Sequence, residues 1–81
     1  MYISVTLLGL QRAQTHTDRV LVPLSKVTRV ADVLAYLKEF YPELRISEDD
    51  VYVTVNDKIS NMESILKNKD KVVFLPFLGG G

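Results

Sequence analysis

One stretch of this chain, from Val30 to Tyr41, carries apolar side chains at clear helical spacing, and the well-patterned stretches around it alternate as strands do. Within it Val30, Val33, Leu34, Leu37, Phe40 and Tyr41 recur at the three-and-four spacing of a single helical face. Thr28 reads as the N-cap, and Asp32 in the first turn suits the positive end of the helix dipole. Pro42 stops the helix, because it holds Tyr41 away from helical torsions and has no amide hydrogen to donate. A single amphipathic helix among half-apolar strands has one economical arrangement, in which it lies across the sheet and the two bury each other.

The strands follow from period two. Ile3, Val5 and Leu7 share one face of a first strand, with Tyr2, Ser4 and Thr6 on the other. Gly9 to Asp18 is polar and carries neither period, so it reads as a long hairpin loop before a second strand with Val20, Val22 and Leu24 on one side. Pro23 suits an edge position, since it cannot donate to a ladder. Val51, Val53 and Val55 mark a third strand that closes in a turn at Asn56 and Asp57, residues tolerant of left-handed torsions. Ile59, Met62, Ile65 and Leu66 fit either one helical turn or a brief strand, and Val72 to Phe77 forms the last strand. The right-handed crossover preference places that last strand in the middle of the sheet, parallel to the first. The expected fold is α+β, a β-grasp or ubiquitin-like roll in which a mixed sheet of four to five strands packs on one main helix. Residues 1–78 would form the domain and residues 79–81 a flexible glycine tail.

At 81 residues the chain has room for one modest core and not for a deep catalytic cavity. Ten basic and ten acidic side chains cancel, which argues against nucleic-acid binding. No apolar run approaches the ~20 residues that span a bilayer, and the strand-like start does not resemble a secretory signal. A cytoplasmic, membrane-free protein is expected. The absence of cysteine excludes disulfides, thiolate nucleophiles and zinc-thiolate sites.

The ending is the distinctive motif. Asp70, Val72, Phe74, Leu75, Pro76 and the closing Gly80 and Gly81 resemble, without a gap, the C-terminal signature of the MoaD/ThiS family of sulfur-carrier proteins. Gly79 stands where that family more often has Ala. Val30 to Leu34 resembles the start of the family's helix, and Val53, Val55 and Asn56 its strand and turn. Phe77 departs from the usual second proline, and Arg29 from a small helix cap. The long first hairpin loop favours the MoaD-like branch over the shorter thiamine-type carriers.

The resemblance implies that the Gly81 carboxylate is adenylated and converted to a thiocarboxylate. The implied partners are a ubiquitin-activating-type adenylyltransferase and a larger catalytic subunit of the molybdopterin synthase type. No cofactor is expected on the chain itself; no glycine loop that could cradle phosphate occurs, so ATP belongs to the activating partner. The tail suits this chemistry, because three glycines reach about 10 Å and enter channels too narrow for a Cβ. Leu75, Pro76, Phe77 and Leu78 are candidate partner-binding residues. Phe77 and Leu78 could equally finish the core, and Leu75 faces outward only if Val72 and Phe74 face in. Alternative uses of the tail are conjugation to lysines as a ubiquitin-like modifier, sulfur carriage for thiamine thiazole, or a β-grasp interaction module without tail chemistry.

The remaining polar groups read as ordinary surface. His16 lies among threonines with no metal-ligand pattern, and Glu48, Asp49 and Asp50 lack the spacing and glycine of a calcium loop. Lys67, Lys69 and Lys71 read as a charged loop that could also steer an acidic partner. No metal site is expected.

Overall fold

Alternation in the first residues produces β1 (Tyr2–Thr6), whose Ile3 and Val5, followed by Leu7, are fully buried. The computed structural model describes residues 1–76. Over them the chain forms β1, α1 (Gly9–Thr15), β2 (Arg19–Pro23), α2 (Val30–Phe40), β3 (Val51–Val55), β4 (Lys58–Ser60) and β5 (Lys71–Pro76). The sheet order is β2-β1-β5-β3-β4. β5 runs parallel to β1, with Val5 opposite Val72, and antiparallel to β3, with Val53 opposite Phe74. This is the β-grasp arrangement, and β2 with its Pro23 is an edge strand, as the sequence predicts. Asn56 and Asp57 both take positive φ, 52° and 69°, which matches the right-handed twist of a two-residue hairpin between β3 and β4.

Three readings of the sequence are corrected. Gly9 to Thr15 is a helix, not a loop. Its buried residues are Gln11 and Thr15, one turn apart on the same face, so the stripe that packs inward is polar and leaves no apolar period to detect. Leu10, beside that stripe, is exposed. Gly9 has φ +49°, a torsion that lets the chain leave β1 and turn at once into α1. The second correction concerns Phe40, which is exposed and stacks on Tyr36, one turn earlier, with ring centroids 4.5 Å apart. The inward stripe of α2 is Val30, Val33, Leu34 and Leu37, with Tyr41 packed partly against it.

The core lies between that stripe and the inward faces of the strands, closed by Leu44, Ile46 and Leu66. Of the apolar residues that the sequence left between helix and strand, only Leu66 is buried; Ile59 and Ile65 are exposed. Their segment still has a structural task. Ser64 and Met62 carbonyls accept the Val30 and Ala31 amides at 3.1 and 3.0 Å, satisfying donors that a helix start leaves free.

The N-cap is Arg29, one residue later than the sequence suggests. Its side chain has no acceptor to offer, and Asp32 supplies one by reaching back, its Oδ2 accepting the Arg29 and Thr28 amides at 3.0 Å each. These donors, Arg29 first, hold the Asp32 carboxyl below its ordinary value. A depressed folded-state pKa means a contribution present above the unfolded value, near 3.9, and lost as pH falls through the folded one. Asp32→Asn is therefore expected to lower the Tm at neutral pH and to flatten the fall of Tm below about pH 4, checked by thermal melts across pH.

Candidate functional site

The end of β5 is the place to which the sequence assigns function, and its geometry is set by period two. Val72 and Phe74 are fully buried, so they face the core and Val73 and Leu75 face the open side of the sheet. The phase that the sequence left undecided is thereby fixed, with Leu75 outward. Leu75 lies opposite Tyr52, Val73 opposite Thr54, and Thr54 opposite Ile59. Leu75 and Val73 are half-buried while Tyr52 and Ile59 are well exposed, giving a mixed apolar strip across the open face. On β1 that face turns polar, where Ser4 Oγ accepts from Arg19 Nε at 2.9 Å. Pro76 ends the ladder opposite Val51. Phe77, Leu78, Gly79, Gly80 and Gly81, the other predicted site residues, lie outside the described residues.

One residue at this end of β5 is invisible in the sequence pattern. The Asp70 carbonyl accepts the Ser4 amide at 2.9 Å, so it faces β1, and by alternation the carbonyls of Val72 and Phe74 face the same edge. β1 ends at Thr6, opposite Val73, and has no backbone amide to offer Phe74. Gln11 fills the gap: its Nε2 donates to the Phe74 carbonyl at 3.1 Å, so a side chain of α1 continues the ladder. The next nitrogen on that edge belongs to Pro76 and carries no hydrogen. Gln11 Oε1 is left buried without a partner among the described residues. The pairing spans 63 residues of sequence, and no local spacing announces it.

The other singled-out residues lie elsewhere. His16 is exposed and takes φ 59° as the C-cap of α1, its amide donating to the Arg12 carbonyl at 2.9 Å. Glu48–Asp50 forms a short turn of 3-10 helix capped by Ser47, whose Oγ accepts the Asp49 amide. Lys67 and Lys69 sit in the turn before β5 and Lys71 starts it, at the end opposite Pro76, so this basic loop is remote from the tail's root. Among the described residues no group of three or more His, Cys, Asp or Glu side chains could hold a metal ion, and no helix is long and apolar enough to cross a membrane.

Comparison with known proteins agrees with this geometry. The family model described as the ThiS family matches residues 5–81. The molybdopterin synthase sulfur carrier subunit of Mycobacterium tuberculosis is 31% identical over 73 residues, covering 90% of this chain and 88% of that protein. Among solved structures, SAMP1 from Haloferax volcanii superposes with a TM-score of 0.82 at 17% identity, covering 100% of both chains. A chain from the complex of subunits 1 and 2 of the molybdopterin-converting factor from Helicobacter pylori gives a TM-score of 0.68 at 21% identity, again covering 100% of both chains. The two structural likenesses establish the shared fold.

Proposed function

Because the chain belongs to the ThiS family, we propose that it is a sulfur carrier whose reacting group is the Gly81 carboxyl, and that it serves molybdopterin synthesis as the small subunit of a synthase. The observation that carries this reading is the family match continuing through the closing glycines to Gly81. The relative at 31% identity, a synthase sulfur carrier subunit, supports the molybdopterin assignment.

A carboxylate is a poor electrophile, so the first step is activation. A Gly81 carboxylate oxygen attacks the α-phosphorus of ATP held by a ubiquitin-activating-type adenylyltransferase, pyrophosphate leaves, and an acyl adenylate forms. Hydrosulfide, or an equivalent sulfur nucleophile held by the partner, then attacks the acyl carbon and AMP departs with the electron pair of the broken C–O bond. The product is a thiocarboxylate on Gly81. The larger synthase subunit receives the loaded tail and passes the sulfur to the pterin precursor. The domain's own contribution is recognition and delivery: β5 is locked between β1 and β3 up to Pro76, and the strip of Tyr52, Val73 and Leu75 offers a partner apolar contact on the open face of the sheet.

Intact-mass measurement after incubation with the adenylyltransferase, ATP and sulfide tests the reading. One oxygen of the chain should be exchanged for one sulfur, and fragment masses should place the change on Gly81. An unchanged mass with an enzyme shown to be turning over ATP on another carrier would overturn it.

A further inference from the structure

Beside the end of β5 lies a pocket of about 360 Å³, lined by Leu8, Leu10 and Gln11 on one side and Arg45, Ile46 and Val51 on the other. Three features at this place point to a ligand. Gln11 is only 6% exposed, yet its Oε1 has no hydrogen-bond partner among the described residues. A buried acceptor left unpaired costs about 1–3 kcal/mol, so a donor that reaches it gains more than one placed on open surface. Arg45 is exposed and forms no ion pair among the described residues, while its amide donates to Gln14 Oε1 at 2.9 Å and ties its segment to α1. Leu10 is 67% exposed at the mouth, where nothing in the fold requires an apolar side chain.

The pocket also adjoins the reacting tail. Val51, one of its walls, is the ladder partner of Pro76, and residues 77–81 connect Pro76 to the reacting Gly81. Fully extended they reach about 17 Å. An enzyme that encloses the terminal carboxyl must therefore press against the end of β5, where this pocket opens.

We propose that the pocket is a docking site for an acidic, apolar-anchored segment of the activating adenylyltransferase. One apolar side chain of that segment enters between Leu8, Leu10, Ile46 and Val51, an N–H beside it donates to Gln11 Oε1, and a neighbouring carboxylate pairs with Arg45. The choice of the activating enzyme rests on the sulfur-carrier reading above, in which activation is the first step that must grip the tail. Gln11 thereby has two tasks, holding the Phe74 carbonyl and reporting to the partner that the end of β5 is in place.

The test uses the full chain, the adenylyltransferase encoded in the same genome, and methyl NMR with calorimetry. The Leu8, Leu10, Ile46 and Val51 methyl signals should shift on titration with the enzyme. Arg45→Glu and Leu10→Glu, both at exposed positions, should each raise Kd by about tenfold or more, whereas Phe40→Ala, on the solvent side of α2, should leave it unchanged. Gln11→Met, which keeps the shape but removes both the Oε1 acceptor and the Nε2 donor to the Phe74 carbonyl, should weaken binding as well. Wild-type affinity in both glutamate variants, with the wild-type chain adenylated normally, overturns the docking site and leaves the carrier reading standing. Shifted methyls and weakened variants without any adenylate support the docking site and overturn the carrier reading. No binding of the wild-type chain overturns both.

Discussion

Deleting Gly80 and Gly81 is expected to abolish thiocarboxylate formation, with at least about a hundredfold loss of rate, while the urea midpoint of the domain stays unchanged. In the proposed carrier role the loss is large because activation would deliver one carboxyl carbon to a nucleotide and then to sulfur, and a tail shortened by two residues, about 7 Å, cannot place it there. The stability is untouched because, among the described residues, the buried apolar residues of the core all lie between Ile3 and Phe74. Single-turnover assays with intact-mass detection, run beside urea titrations, read both quantities. The same deletion separates the alternative uses of the tail: lysine adducts that vanish with it mark a modifier, and a cellular role that survives it marks an interaction module.

Phe74→Ala should have a different profile, lowering the stability of the fold and reducing activity only as far as the folded fraction falls. Phe74 is the largest fully buried side chain among the described residues and sits on the central strand, opposite Val53. Emptying such a site costs about 3–5 kcal/mol, a transfer term plus a cavity. A domain of this size has a total stability on the order of 4–12 kcal/mol, so the variant should lose a large share of it. Urea titration followed by circular dichroism should show the midpoint falling by about a third or more. A change below about 1 kcal/mol would mean that β5 is not held as described.

Much of this architecture was legible from period alone. Ile3, Val5, Val53, Val72 and Phe74 lie where alternation puts them, and the left-handed turn at Asn56 and Asp57 follows from residue chemistry. The failures share a cause. α1 was hidden because its inward residues, Gln11 and Thr15, are polar, and apolar periodicity registers a buried face only when it is greasy. Phe40 was misplaced because a helical stripe is broad enough for either flank to pass as its edge, and its stacking on Tyr36 shows on which side it falls. At the candidate site, Leu75 was readable once Val72 and Phe74 were fixed inward. Gln11 was not readable at all, since its role depends on a carbonyl 63 residues away and on a proline that withholds a hydrogen.

The position of β5 also governs how the chain can assemble. β1 with β2, and β3 with β4, are antiparallel pairs of strands consecutive in the chain, and in the sheet order β5 lies between the two pairs. Until it arrives the sheet is two separate ribbons, each with an inner edge of unpaired amides and carbonyls. Because β5 comes after both, its insertion closes long loops, the kind of non-local step that sets a slow folding rate. During that interval the two inner edges are open templates for other chains, so crowding during refolding should favour association between ribbons of different molecules over completion of one sheet.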